Sequence, residues 1–231
     1  MKTYPTSAVL DGDIIGYRLA FKFEATGFED DELAHEAAVE VSDWTPPGVS
    51  DIHLAFSCSR EKNFRRNFLP EYKAHRNNFA RPTYLYEINQ YLKETYPVLM
   101  EDGLEADDIM GMHQLERVTV TIDKDLLSVP GWLWNPHKDG MASPRWISHT
   151  RALGHLCLQW MTGDRTDNIP GIRGIGPMKS WDALVQSGPP SNWLWAVLAM
   201  YESRGYTQEE ALCSYRGVYI LRKNEIKFPL D

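Results

Sequence analysis

A chain of 231 residues that is 43% apolar can bury the core of one domain, or of one domain with a small appendage, and does not have the composition of a disordered polymer. No apolar run approaches the ~18–20 residues of a membrane span, Met1-Lys2-Thr3-Tyr4-Pro5 has no signal-peptide pattern, and the scattered Cys58, Cys157 and Cys213 make no disulfide framework, so a reducing cytoplasm without membrane association is expected. The net charge of −8 argues against a uniformly basic nucleic-acid binder but hides a segment of opposite sign, in which Arg60, Lys62, Arg65, Arg66, Lys73, Arg76 and Arg81 face only Glu61 and Glu71, a local +5.

Ser7–Leu10 reads as a short buried strand ending at Asp11. A helix follows from Ile14 to about Glu24, and a second from about Asp30 to Trp44, where Leu33, Ala37, Val41 and Trp44 recur at helical spacing before Pro46-Pro47-Gly48 stops it. Ile52–Phe56 is the next strand, just before Cys58. The basic segment comes next, broken by Pro70 and interleaved with Phe64, Phe68, Tyr72 and Phe79; cations beside stacking groups suit unpaired nucleotides.

A helix near Tyr84–Tyr96 leads to a strand at Pro97–Met100, then through Gly103 into Glu105, Asp107, Asp108 and another helix. Val118–Ile122, rich in β-branched residues, is the clearest strand and ends at Asp123. Trp132–Trp134 and Arg145–Ile147 are short strand candidates, and the pattern is helical from Thr150 onward except for Gly171-Ile-Arg173-Gly174-Ile-Gly176. Strands alternating with helices predict an α/β fold, a mainly parallel sheet covered on both faces. Ligands bind such sheets outside the carboxyl ends of the strands.

Nine carboxylates gather there or just beyond: Asp11 and Asp13, then Glu105, Asp107 and Asp108, then Asp123 and Asp125, then Asp164 and Asp167. Singly they are ordinary helix-cap and turn residues; collected at one edge they repel one another unless divalent cations hold them together. A local calcium loop opening at Asp123 is excluded, because its sixth and twelfth positions are Ser128 and Trp134 rather than Gly and Glu. The Gly-rich run is no P-loop, since Gly176-Pro-Met-Lys179 lacks the Gly before Lys, and the cysteines and histidines have no zinc spacing. What this run can do is turn sharply between two helices and present backbone N–H groups to phosphates, with Arg173 and Lys179 beside it.

In chain order, Val9-Leu-Asp11-Gly, Leu69-Pro-Glu-Tyr72-Lys73-Ala-His-Arg76, Leu104-Glu-Ala-Asp-Asp108, Thr121-Ile-Asp-Lys-Asp125 and Met161-Thr-Gly-Asp164-Arg-Thr-Asp167 through Gly176 resemble the motifs of the 5′-nuclease family, over residues 7–185. That family includes flap endonucleases, the 5′-nuclease domain of bacterial DNA polymerase I and short phage replication exonucleases. The tail from Gly205 to Glu225 is similar to the phage branch, which implies an enzyme of phage replication or recombination in a bacterial host's cytoplasm.

The resemblance implies a PIN-like nuclease core over 1–148, carrying the basic segment, and a C-terminal helical region over 149–231 with a helix–three-turn–helix motif. It implies two Mg²⁺ or Mn²⁺ ions, one framed by Asp11, Glu105 and Asp107 and the other by Asp123, Asp125 and Asp164, with Asp108 and Asp167 behind them and Asp13 supporting the first turn. Lys73 and Arg76, three apart and on one face if helical, would meet the scissile phosphate. Tyr72 would stack on the terminal nucleotide, and Arg65, Gly171, Arg173, Gly174, Gly176 and Lys179 would hold DNA, with K⁺ at the Gly-rich turn.

The implied substrate is duplex DNA with 5′ ends or flaps, or an RNA–DNA hybrid; oligomeric state is left open. The chain departs from the family where an Asp is common and Cys58 stands, a soft donor ill-suited to Mg²⁺, or simply a small buried packing residue. A PIN-like RNase and a silent DNA-end-binding module are the rival readings.

Overall fold

The computed structural model describes residues 3–27, 30–75, 80–140 and 142–223. Six strands, β1 (Ser7–Asp11), β2 (Asp51–Ala55), β3 (Val98–Leu99), β4 (Val118–Val120), β5 (Gly131–Trp134) and β6 (Arg145–Ile147), form one sheet in the order β3-β2-β1-β4-β5-β6. All neighbours run parallel except β6, which pairs antiparallel with β5 through Trp132 opposite Trp146. This is the doubly wound order, and strand succession reverses between β1 and β4, where such sheets open a crevice.

Alternation along the central strand explains the layers. Ala8 and Leu10 point to one face, against α1 (Gly12–Thr26), α2 (Asp30–Asp43) and α3 (Leu85–Thr95), in a core that includes Leu19, Phe23, Trp44, Ile88 and Leu92. Val9 points to the other face, against Ile109 and Met110 of α4 (Ala106–His113) and Ala152 of α6 (His149–Thr162). With both faces covered, β1 is apolar from Ala8 to Leu10 and buried from Ala8 onward. A short helix not anticipated from the sequence, α5 (Pro136–Asp139), is started by Asn135, whose side chain accepts from the His137 and Lys138 backbone N–H groups.

A second core lies among α6, α7 (Pro177–Gln186), α8 (Trp193–Ser203) and α9 (Gln208–Val218), built around Trp160, Tyr201 and Tyr215, with Tyr72 from the basic segment buried in it. α1, α2 and α3 align with the sequence expectation to within two residues, and the helical stretch expected from Thr150 onward divides into α6 to α9. The expected strands at 97–100 and 118–122 are shorter: Pro97, with no N–H, contributes only its carbonyl, which accepts the Leu54 N–H at 2.8 Å, and Ile122 lies beyond the ladder on the way to Asp123. Among its described residues the basic segment holds 3₁₀ turns, such as Arg60–Lys62 and Phe64–Asn67, rather than a regular helix.

Candidate active site

The crevice between β1 and β4 is organised by a threonine. Asp11 closes β1 and caps α1, its Oδ1 accepting from the Ile14 N–H at 3.1 Å. Its Oδ2 accepts from the Thr121 hydroxyl at 2.9 Å, and the same hydroxyl oxygen accepts from the Asp123 N–H at 3.0 Å. Asp123 Oδ1 accepts from the Asp125 N–H at 2.8 Å, so the chain leaving β4 is folded back on its own carboxylates. The expected clustering of Asp11, Asp107, Asp123 and Asp125 is realised.

Electrostatics follow from that crowding. Burial first, and then the charges of Asp13 and Asp123, push Asp11, only 3% exposed, up to about 7. Burial with Asp123 and Asp11 raises Asp107 far above the usual carboxylate range, and burial with Asp123 and Asp164 takes Asp125 to about 7. Asp125 Oδ1 is buried without a hydrogen-bond partner.

Glu105 has the opposite fate. Burial works to raise it, but Lys73 and Arg65 outweigh that and hold it down to about 2. Lys73 Nζ is 2.5 Å from Oε1, and the Tyr72 hydroxyl donates to Oε2 at 2.6 Å. Lys73 Nζ also lies 3.4 Å from Asp167, which accepts from Tyr72 at 3.2 Å. Lys73 therefore sits among the carboxylates, as expected of a group that meets charge there.

The helical argument for pairing Lys73 with Arg76 fails, because Lys73 has φ +53° in a turn; Arg76 lies outside the described residues. Tyr72 is a correction too. It is 3% exposed, its ring in the helical core and its hydroxyl spent on two carboxylates, so it presents no face to a nucleotide.

Arg65, expected on DNA, is 2% exposed and points inward. Its guanidinium forms two bonds to Asp108, at 2.6 and 2.8 Å, and donates to the carbonyls of Gly217 and Tyr219. Asp108 in turn accepts from the backbone N–H groups of Glu105 and Leu221, which fixes it as the support behind Glu105 rather than a cation ligand. A fork-shaped cation in the middle of a charge run is indistinguishable by composition from its exposed neighbours.

Cys58 is half-buried and its thiol donates to the Ser59 carbonyl at 3.3 Å rather than meeting a carboxylate; that partial burial, with the nearby Glu105 charge, raises it, which keeps it a neutral thiol. The residue that faces the site is Ser57. Its N–H donates to Asp13 at 3.2 Å and its hydroxyl accepts from the Ala106 N–H at 3.0 Å, tying the end of β2 to both Asp13 and α4. Just beyond β2 it is therefore Ser57, not Cys58, that contacts this site.

The Gly-rich connection joins α6 to α7, as its composition predicts. Asp164 and Ile169 exchange backbone bonds at 3.0 and 2.7 Å, and Asp164 Oδ1 accepts from the N–H and hydroxyl of Thr166. Gly163, at φ +67°, and Gly171 pass so close that a Cβ on Gly171 would lie 2.2 Å from the Thr162 carbonyl carbon; Gly171 is thereby a packing residue, not an open phosphate contact. Gly174 (φ +78°) and Gly176 have open space at the Cβ position, and Arg173 and Lys179 are exposed beside them. A groove of about 680 Å³ runs between this loop and Leu69–Glu71 of the basic segment.

Hard divalent cations take oxygen donors, and the donor set here is entirely carboxylate, self-repelling, with one buried oxygen unpaired on Asp125. The residues fit such ions. Among the described residues no three Asp, Glu, His or Cys side chains are drawn into a closed cage, as repulsion between bare carboxylates dictates, and Mg²⁺, which keeps several waters, does not require one.

No family model matches the chain. It is 31% identical over 166 residues to DNA polymerase I of Rhizobium leguminosarum, a match covering 62% of this chain and 16% of the polymerase. It is 29% identical over 196 residues to a 5′-3′ exonuclease of Buchnera aphidicola, covering 73% of this chain and 66% of that protein. The chain thus spans a small part of the polymerase it matches and just under two thirds of the exonuclease. Among solved structures, a T5 protein crystallised with metal ions superposes with a TM-score of 0.68 at 18% identity, over 92% of this chain and 88% of the other. A bacteriophage T5 flap endonuclease in a complex with DNA and metal ions superposes with a TM-score of 0.61 at 16% identity, over 92% and 87%. At such identities the superpositions establish a common fold.

Proposed function

Taking the chain as a member of the 5′-nuclease family, we propose that it is a divalent-metal-dependent 5′-3′ exonuclease or flap endonuclease that hydrolyses phosphodiesters at the 5′ ends of DNA, in phage replication or recombination within a bacterial cytoplasm. The observation that carries this reading is the meeting of buried, mutually repelling Asp11, Asp107 and Asp125 at the switch point of the sheet. Asp11, Glu105 and Asp107 would hold one ion and Asp123, Asp125 and Asp164 the other. When bound, such ions supply an activated water and charge stabilisation for the leaving oxygen.

The chain's own residues do the rest. Thr121 fixes the orientation of Asp11 and Asp123, and the Arg65–Asp108 pair braces the helix end that carries Glu105 and Asp107. The Lys73 ammonium, within reach of Glu105 and Asp167, offsets negative charge that builds on a scissile phosphate. Gly174, Gly176, Arg173 and Lys179 offer backbone N–H groups and cations to a duplex backbone, where K⁺ also has a place, without reading bases.

The test is digestion of end-labelled blunt duplex, 5′-flap, RNA–DNA hybrid and RNA substrates with Mg²⁺ or Mn²⁺ and with chelator. Metal-dependent release from DNA 5′ ends or flaps is expected. Cleavage confined to RNA, or DNA binding without any cleavage, would replace this reading.

A further inference from the structure

The last full turn of α6 carries Gln159, whose backbone carbonyl accepts the Gly163 N–H that ends the helix, at 2.8 Å. Its side chain lines a narrow cleft together with Glu105, Asp107, Asp125, Asp164 and Asp167. That cleft leaves about 20 Å³, room for one water-sized occupant. Gln159 Oε1 is buried with no hydrogen-bond partner, and so is Asp125 Oδ1 on the same cleft. Arg65 and Tyr72 also line the cleft, but their donors are engaged by Asp108, Glu105 and backbone carbonyls, so the oxygens of Gln159 and Asp125 are left as two unpaired acceptors on this space.

We propose that Gln159 is an additional oxygen donor to the cation assigned to Asp123, Asp125 and Asp164, meeting it directly or through one of its waters. This rests on the metal-dependent reading above. A primary amide has a donor end and an acceptor end. In Gln159 it is the acceptor end that is buried without a partner, as is Asp125 Oδ1 on the same cleft, and two acceptors cannot satisfy each other without a cation or a water between them. A carboxamide oxygen is a hard, neutral donor of the kind Mg²⁺ and Mn²⁺ accept, and it adds a ligand without adding a charge to a group that already repels itself.

Two variants of the full-length chain, Gln159→Leu and Gln159→Glu, test this by Mn²⁺ titration followed by electron paramagnetic resonance of the free ion, with thermal unfolding in chelator and in Mn²⁺. Gln159→Leu is expected to weaken Mn²⁺ binding about tenfold, the scale of losses at residues that tune a metal site, while the unfolding temperature in chelator is unchanged or higher. Gln159→Glu is expected to keep or tighten Mn²⁺ binding and to lower the unfolding temperature in chelator. Wild-type affinity in Gln159→Leu overturns the assignment, as does an affinity loss matched by instability in chelator, which marks a structural residue. A wild-type chain that cleaves DNA with Mn²⁺ while Gln159→Leu binds the ion normally sinks this inference alone. A wild-type chain that neither binds Mn²⁺ nor cleaves sinks the nuclease reading with it.

Discussion

Arg65 grips Asp108 through two parallel bonds, Nη1 to Oδ2 at 2.6 Å and Nη2 to Oδ1 at 2.8 Å, both groups almost wholly buried. Burial alone would lower the Arg65 guanidinium, yet Asp108 outweighs it and holds it above the ordinary arginine range. The remaining donors go to the Gly217 and Tyr219 carbonyls, so one side chain joins the basic segment, the start of α4 and the end of α9. Removing one partner of such a pair strands the other charge in the interior, at a cost of about 3–5 kcal/mol. Arg65→Met should lower stability by that order in urea unfolding, and Arg65→Lys should recover little of it, because an ammonium cannot reproduce the fork. DNA affinity lost without loss of stability would restore Arg65 to the surface role that the sequence suggested.

The Thr121 hydroxyl is a small group with a large positional duty, donating to Asp11 and accepting from the Asp123 N–H. Thr121→Val keeps the shape and removes both bonds. Metal-supported cleavage should fall about tenfold or more, the range seen when groups orienting metal ligands are lost, and Thr121→Ser should restore most of it. Equal rates for the Val and wild-type chains would leave the hydroxyl as a folding contact only.

Much of this site was legible because a strand followed at once by an aspartate is a local pattern, and the sheet order turns local patterns into one edge. Asp11 and Asp123 needed no more than that. What escaped was long-range. Arg65 meets carbonyls more than 150 residues away, and Tyr72 is buried by α6 to α9, so a run of seven cations with interleaved aromatics read as one surface when part of it is core. Lys73 meets Glu105 through a left-handed backbone rather than through a helical face, which a spacing of three cannot reveal. Gln159 carries no motif at all, and only its unpaired oxygen singles it out.

Stability of the metal-free chain should depend on pH in an unusual direction. Asp11 and Asp125 titrate near 7 in the fold against 3.8 as the ordinary value, so between those limits the folded state binds more protons than the unfolded one, and stability falls as pH rises from about 4 to about 7. Glu105 acts oppositely, adding stability above its ordinary value near 4.5 that is lost as pH falls toward 2. The optimum in chelator is therefore expected near pH 4–5, with the melting temperature dropping at least about 4 °C by pH 7.5, since ~1 kcal/mol moves the midpoint of a chain this size by about 2–4 °C. Saturating Mn²⁺ should remove or reverse that fall, because a cation favours the ionised carboxylates. A melting temperature in chelator that climbs steadily from pH 4 to 7.5 would contradict the crowding of these acids.

Lys73 is the ammonium set directly among the carboxylates, at 2.5 Å from Glu105 and 3.4 Å from Asp167. Two consequences pull apart on its removal. As a cation beside the reacting phosphate it lowers the barrier, and losing such a charge costs about 10²–10³ in rate. As the counter-ion of Glu105 it competes with any metal for that carboxylate, so Lys73→Met should bind Mn²⁺ as tightly as the wild type or more tightly, while single-turnover cleavage falls by about a hundredfold. The same substitution should raise the Glu105 titration from about 2 toward the ordinary range, visible by carboxyl-region NMR in chelator. Weaker Mn²⁺ binding in step with the rate would instead make Lys73 a structural prop of the metal site, and an unchanged rate would remove it from the chemistry.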